Sequence, residues 1–343
     1  MEIREVDATA VQFLLAAAVA APSIHNTQPW RFGLDADSRS VQVRADPGRQ
    51  LPMTDPDLRA LHLSVGAAVF NLRVAAAHLG WDPVVRLLPG TDDPDLLATV
   101  QLAGPAADGP ASLRHLYEAI ERRHTSRMPF TGRPVPETTV TEMIGAARAE
   151  GAHLEVPDIV GTRRLLQLTQ AGEVRNASHP GRTAEARGCL TAPGHDSRYG
   201  IPVTAVGALD ASGRIPMRDF TGRLPVPRLP ALHFERHAQA ALLWTAWDRR
   251  EDWLRAGQAL QHVLLTATSY GVRTSMLHQA MEWMDLRAAM GGPRQRRCPQ
   301  LLIRFGYGPE GGRTPRAAVH AAPRPEPGPE SAASGEVRNA PSE

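Results

Sequence analysis

The chain has 343 residues, 42% hydrophobic and 22% charged, with a formal net charge of +2, enough to bury one large core or two ordinary ones. So close a charge balance excludes a general field for nucleic acid or an acidic membrane. Two cysteines, Cys189 and Cys298, exclude a disulfide framework and a zinc set, no other metal site stands out, and a reducing, cytoplasmic setting fits.

From the N-terminus, Val6 to Ala21 reads as an alanine- and leucine-rich helix. It stops at Ala21-Pro22-Ser23, because proline disfavours the helical conformation of the residue before it. The apolar run from Phe13 to Ala21 is short and follows no basic segment, so it reads as a buried helix and not as a signal peptide or membrane span. Next comes the polar stretch Ser23 to Trp30, with Trp30 itself expected in the core. Trp30 to Leu34 and Val41 to Arg44 read as strands split by a turn at Asp35 to Ser40. Leu58 to Leu79 has helical spacing, with Gly66, Ala67 and Ala68 allowing a second helix to approach closely. Val84 to Leu88 and Leu96 to Leu102 read as strands, and Gly104 to Pro110 as a linker of small residues.

A second pass starts with helices at Leu113 to Arg123 and Pro136 to Glu150. Gly188 to Leu232 is rich in Gly, Pro and Arg without periodicity, the composition of a functional loop, a lid or a linker. Trp244 to Tyr270 reads as one long helix, Val272 to Leu277 as an edge or strand, and Leu301 to Phe305 as a strand. Beyond Ala317 the chain is Pro, Glu, Ala and Ser, which predicts disorder. Gly306-Tyr-Gly-Pro-Glu-Gly311 spells Gly-x-Gly-x-x-Gly after a strand, but Pro309 and the glycines beyond it leave no helix to receive a pyrophosphate. We read it as a turn.

The two passes repeat one another. Leu63 to Gly80 aligns without a gap on Leu254 to Gly271, matching Leu63, Gly66, Ala68, Ala76 and Gly80 to Leu254, Gly257, Ala259, Ala267 and Gly271. Leu14 to Ala20 likewise resembles Met143 to Ala149. The Ser-to-Trp loop occurs only in the first pass, and Glu121 to Arg127 only in the second, so each lacks what the other has. All 38 basic side chains are arginine. Schiff-base chemistry on lysine and a phosphate loop with its lysine are therefore ruled out. Any phosphate must be met by arginine, hydroxyls or helix N-termini.

Ala21-Pro-Ser-Ile-His-Asn-Thr-Gln-Pro-Trp-Arg-Phe32 resembles the Ala-Pro-Ser-x-x-Asn-x-Gln-Pro-Trp-x-Phe loop of the FMN-dependent nitroreductase family, and Arg123-His-Thr-Ser-Arg127 resembles its Arg-x-Ser-x-Arg segment. Asp46 to Arg59, Leu63 to Arg73 and Asp252 to Leu260 resemble the actinobacterial Acg-type branch. The resemblance spans roughly residues 8 to 317 and implies an α+β nitroreductase-type fold, here as two pseudo-symmetric halves in one chain. The halves would be 1–107 and 108–317, with a lid insertion at about 192–232 and a disordered tail at 318–343. It implies one FMN held between the halves. Arg123, Thr125, Arg127 and Arg316 match phosphate-binding positions. Asn26 and Gln28 match residues beside the flavin ring, with Ser23 and His25 in the same loop. Met276, Leu277, His278 and Gln279 match the segment facing flavin N5, with His278 a candidate proton donor. The implied activity moves hydride from NAD(P)H through FMN to a nitroaromatic or quinone-like acceptor. A flavin-storing or stress protein closed by the lid, and a biosynthetic dehydrogenase, stay open. A monomer, already a pseudo-dimer, or a weak homodimer would suffice, with neither nucleic acid nor membrane as partner.

Overall fold

The computed structural model describes residues 7–35, 37–90, 93–104, 111–191, 197–221, 229–292 and 297–318. The expected tail after Ala318, most of the expected linker, and 192–196 and 222–228 of the insertion lie outside the described residues.

Asp7 caps helix α1 (Ala8–Val19), its carboxylate accepting from the Ala10 amide at 2.7 Å. Strands β1 (Trp30–Asp35) and β2 (Ser40–Ala45), helix α2 (Arg59–His78), and strands β3 (Asp82–Leu87) and β4 (Leu96–Ala103) follow. The strands form an antiparallel sheet of order β1-β2-β4-β3. Its inner face puts Phe32, Val41, Val43, Val100 and Leu102 against α1 and α2, and Trp30 joins that core. Arg31 and Gln101 on the other face are exposed. Helix α2 is long and apolar enough to cross a membrane, yet 94% of its apolar window is buried inside the protein, as in a core helix. Asp55 starts it by accepting from the amides of Ala60 at 2.9 Å and Leu61 at 2.8 Å.

Two short helices, α3 (Ala111–Arg114) and α4 (Tyr117–Arg122), stand where one was expected, and their Leu113, Leu116, Ala119 and Ile120 complete the first core. Helix α5 (Glu137–Ala149), strand β5 (His153–Glu155) and helices α6 (Ile159–Ser178) and α7 (Pro180–Gly188) come next. Four two-residue strands, β6 (Leu190–Thr191), β7 (Ile201–Pro202), β8 (Leu209–Asp210) and β9 (Ala231–Leu232), tie down the insertion. The chain closes with β10 (Gln239–Thr245), α8 (Arg250–Ser269), β11 (Arg273–Leu277), α9 (Met284–Gly291) and β12 (Cys298–Gly306).

The second sheet is antiparallel with order β11-β12-β10-β5. Counting its strands by chain position and reading from β5, this is the 1-2-4-3 order of the first sheet, with the long helix again between the second and third strands. One face packs Ala241, Leu243, Ile303 and Phe305 under α5 and α8. The other packs Ala240, Leu242 and Leu302 under α6, α9 and part of the insertion. Burial on both faces explains a correction. Residues 240–244 are apolar without alternation, so the strand was not anticipated, and its last two residues fell within the expected helix from Trp244. That helix begins only at Arg250, where Arg249 and Asp252 form a reciprocal cap. Helices α6 and α7 were not anticipated. The inward face of α6 includes Thr162, Thr169, Gly172 and Asn176, so its periodicity is faint.

Helices α2 and α8 cross where the repeat aligns them. A methyl group on Gly66 would lie 2.2 Å from the Leu254 carbonyl oxygen, and one on Gly257 would lie 2.2 Å from the Leu63 carbonyl oxygen. Both matched pairs meet reciprocally, as residues do across a two-fold axis. Gly66→Ala and Gly257→Ala should therefore each destabilise the fold by about 1–3 kcal/mol through overpacking against backbone. Urea denaturation checks this; a wild-type midpoint would mean the helices do not touch there.

Candidate functional site

The loop after α1 is an unusual piece of backbone. His25, Asn26 and Gln28 all have positive φ, at 48°, 58° and 51°. Asparagine and histidine tolerate this region better than most residues, whereas glutamine is strained in it. Side-chain amides hold the loop there. Asn26 Nδ2 donates to the carbonyls of Gly200 at 2.8 Å and Pro315 at 3.1 Å, and its Oδ1 accepts from Arg316 at 2.8 Å. Gln28 Nε2 donates to Arg198 O at 2.6 Å, and its Oε1 accepts from the Ala317 amide at 3.0 Å. Both amides thus clamp the insertion and the segment after β12 onto this loop. In this arrangement the polar atoms of both amides, expected beside a flavin edge, are turned to protein partners. Asn26 still borders a cavity, but its polar atoms are engaged elsewhere, and Gln28 borders neither cavity described below.

Two adjoining cavities lie between the halves. The first is bordered by Arg123, His124, Thr125, Arg127, Thr314 and Arg316. The second is larger and mostly apolar, bordered by Ile24, Leu63, Met217, Phe220, Leu260 and Leu301 among others. Pro22, Ser23, Arg127 and Met276 border both. Of the expected residues, His25, Leu277, His278 and Gln279 border the second. The hairpin of β11 with β12 presents Met276 and Leu277, and the isolated bridge Thr125–Thr274 docks the arginine segment beside β11.

The three arginines of the first cavity are buried cations. Burial lowers Arg123 to about 9, with Arg316 nearby adding repulsion. It lowers Arg127 to about 10, with Arg218 adding repulsion, and Arg316 to about 10. Their hydrogen bonds go to neutral acceptors: Arg123 to Ala20 O, Arg127 to Ala205 O, and Arg316 to Asn26 and Thr314. No carboxylate pairs with them among the described residues, and the Nε atoms of Arg123 and Arg316 are buried without a partner.

His278 is differently placed from the expected proton donor. Its Nε2 accepts from Arg59 at 2.8 Å, which leaves Nδ1 to donate to Glu282 at 3.1 Å. Burial and then the Arg59 charge, opposed by Glu282, hold it below the usual histidine range. Both ring nitrogens are engaged, so it offers no N–H to the cavity. Sequence reasoning missed the residues around it. Glu282 is fully buried and accepts from Arg218, from Arg182 at 3.1 Å and from Asn176 at 2.7 Å. Arg218 also donates to His25 Nε2 at 3.0 Å, and Phe220 sits edge-on to His25 at 5.1 Å. Arg59 closes the Asp46-to-Arg59 motif and was within reach of sequence reading. Arg218, Met217 and Phe220 lie in the aperiodic insertion, where no local signal marks them. The Gly306-to-Gly311 segment leads into no helix, and its glycines pack on Phe130 and Thr125.

The gapless register also locates a twin. Ala60, Ser64, Met276 and His278 correspond to Glu251, Arg255, Val85 and Leu87. These four border a groove on the opposite side of the α2–α8 crossing. There Arg73 pairs with Glu150 and donates to Gln258 at 3.0 Å, so the groove is lined by a closed ion pair.

No protein-family model matches the chain. The chain is 33% identical over 313 residues to the Mycobacterium tuberculosis H37Rv protein named as NAD(P)H nitroreductase Rv3131, covering 88% of this chain and 86% of that protein. It is 30% identical over 303 residues to the same organism's NAD(P)H nitroreductase acg, covering 85% and 87%. Among solved structures, a nitroreductase-named protein from Anabaena variabilis aligns over 87% of this chain and 88% of its own at 11% identity and TM-score 0.48. The FMN-dependent nitroreductase NfnB of Mycobacterium smegmatis, in complex with NADPH, aligns over 60% and 94% at 17% identity and TM-score 0.37.

Three histidines near the cleft and the crossing are held neutral. Burial, then Arg218, pushes His25 well below 6.5. Burial brings His62 to about 4, opposed by its bond to Leu58 O, and burial with Arg123 brings His124 to about 4. Each folded value lies below the unfolded one, so the stability they contribute is complete above pH 6.5 and lost as pH falls through about 4. The thermal midpoint should fall across that window, and fall less in His62→Gln; an equally steep fall in both proteins would contradict the assignment of His62.

Proposed function

This chain belongs to the NAD(P)H nitroreductase family, in the branch that includes Acg, and we propose that it is an FMN-dependent oxidoreductase carrying reducing equivalents from NAD(P)H to a small nitroaromatic or quinone-like acceptor. One observation carries the cofactor reading: the buried cations Arg123, Arg127 and Arg316, with no acidic partner among the described residues. Burying an unpaired charge costs several kcal/mol. A phosphate monoester brings close to two negative charges and three acceptor oxygens, and guanidinium forks match it bidentately. The orphaned Nε atoms fit the same ligand.

When bound, FMN supplies the hydride chemistry. Arg123, Arg127, Arg316 and Thr125 would hold its phosphate, and Arg127 and Met276 border both cavities and would lie where phosphate end meets ring end. Leu63, Leu260 and Leu301 exclude water from the larger cavity. One polypeptide supplies both sides, so the site needs no second copy.

A second reading, an FMN-holding protein without turnover, is favoured by the insertion. Arg198 and Gly200 are bonded to Gln28 and Asn26, and Met217, Arg218 and Phe220 border the ring-end cavity. The readings part on whether NAD(P)H reaches the ring. Anaerobic mixing of the yellow holoprotein with NADH or NADPH should bleach the flavin absorbance within a turnover time; if neither does so, the protein holds flavin without reducing it.

Arg123→Gln tests the site itself. FMN content should fall by at least tenfold, from loss of a charge-assisted contact worth roughly 1.5–3 kcal/mol. The melting temperature of the flavin-free form should hold or rise, because a buried unpaired charge is removed. A variant that keeps full FMN content would place the phosphate elsewhere.

A further inference from the structure

The insertion brings one cation into the larger cavity. Arg218 lies between β8 and β9, and its side chain is 12% exposed. The guanidinium is held from two sides, by Glu282 of the second half and by His25 Nε2 of the first at 3.0 Å. Phe220 flanks it at 5.8 Å. Arg218 thus touches both halves and the cavity together, as its neighbour Phe220 does, and is held in place by these bonds.

The charges around the cavity are layered. Arg127 and Arg218 are on the wall, His25 and His278 are held neutral, and no aspartate or glutamate borders the cavity among the described residues. Glu282 lies behind Arg218, fully buried, and is shared with Arg182 at 3.1 Å. Two further carboxyl groups stand near it: Glu173 on α6 accepts from the Asp219 amide at 2.9 Å and is pushed up by burial, which weakens it as a counter-charge, and the Asp219 carboxylate accepts from the Thr221 amide at 2.8 Å and from its hydroxyl. A molecule entering the cavity therefore meets cations first, and carboxylates only through them. The remaining wall is apolar, with Ile24, Leu63, Met217, Phe220 and Leu260. Apolar walls lower the local dielectric and strengthen the interaction of an entering charge with Arg218. They also suit a flat aromatic body, and a guanidinium fork suits a carboxylate at its edge.

We infer that Arg218 selects the acceptor, making the ring-end cavity prefer aromatic compounds that carry a negative charge over their neutral or cationic counterparts. This rests on the FMN reading above and names the acceptor class of the same site.

The test uses the holoprotein in its oxidised form, so that it does not depend on turnover. It is titrated with 4-nitrobenzoate, 4-nitrobenzamide and 4-nitrobenzylamine, following perturbation of the flavin absorbance. The benzoate should bind about tenfold tighter than the amide, as expected for one charge-assisted bond, and tighter still than the amine. Arg218→Gln should bring the benzoate and the amide within about threefold of each other, and Arg218→Lys, which keeps the charge, should retain most of the preference. Equal affinities in the wild-type protein, no response to the benzoate, or an intact preference in yellow Arg218→Gln would overturn the inference. The absorbance before titration reports separately on the FMN reading: a protein that stays colourless with added FMN sinks that reading, whereas a yellow protein indifferent to charge sinks the role of Arg218 alone.

Discussion

Two glycines hold the arrangement together. Gly66 of α2 and Gly257 of α8 let the helices cross so closely that each faces the partner's backbone carbonyl. Side chains near the crossing are thereby brought to the opposite half: Asn71 accepts from Gln261 at 2.6 Å, and His262 stacks on Phe70 at 4.7 Å. Because the crossing fixes the distance between the two sheets, it also sets the width of whatever opens on either side of it. One side holds the two joined cavities and the other the twin groove.

Those two sides have opposite electrostatics on a shared frame. In the groove, the buried end of α5 supplies Glu150 and the cation Arg73 is matched by it. Elsewhere the fold also pairs its buried cations: Arg304, fully buried on β12, is matched by Glu235 through both carboxylate oxygens. Arg59 is also buried without a carboxylate partner, bonded instead to Gln300 and His278, but among the described residues Arg123, Arg127 and Arg316 are gathered unmatched around one cavity. Several unmatched cations around one cavity amount to a demand for an anion from outside. Only the difference between the two sides makes this argument, since an arginine-rich protein has many cations in any case.

The Pro22-to-Trp30 loop has a structural role besides bordering both cavities. Three departures into the left-handed region within four residues cost of order 1–3 kcal/mol each where the residue is not glycine. The hydrogen bonds of Asn26 and Gln28 offset that cost, and in doing so join three stretches distant in sequence: the loop, the insertion near Gly200, and the segment from Pro315 to Ala317. The conformation that strains the loop is thus the one that closes the cavities.

Much of this was legible locally. The first sheet has one buried and one exposed face, so its strands alternate and declare themselves; α2 and α8 carry helical spacing; and the matched glycines marked the crossing before any coordinates. Pairing the arginine segment with the Ser-to-Trp loop in one cleft came from resemblance, as did the expected role for Asn26 and Gln28. The tertiary structure decided the rest. Strand β10 is buried on both faces, so its apolar run has no period to read. The partners of Asn26, Gln28 and His278 lie between 4 and 290 residues away, and a side chain's local type does not say which distant carbonyl or guanidinium will occupy its hydrogen bonds. Arg218 is one arginine among many in an aperiodic stretch. The sequence determined what each segment is able to form, because periodicity and backbone preference act over a few residues; only the folded chain determined which polar groups are left without partners, because that depends on every group that arrives beside them.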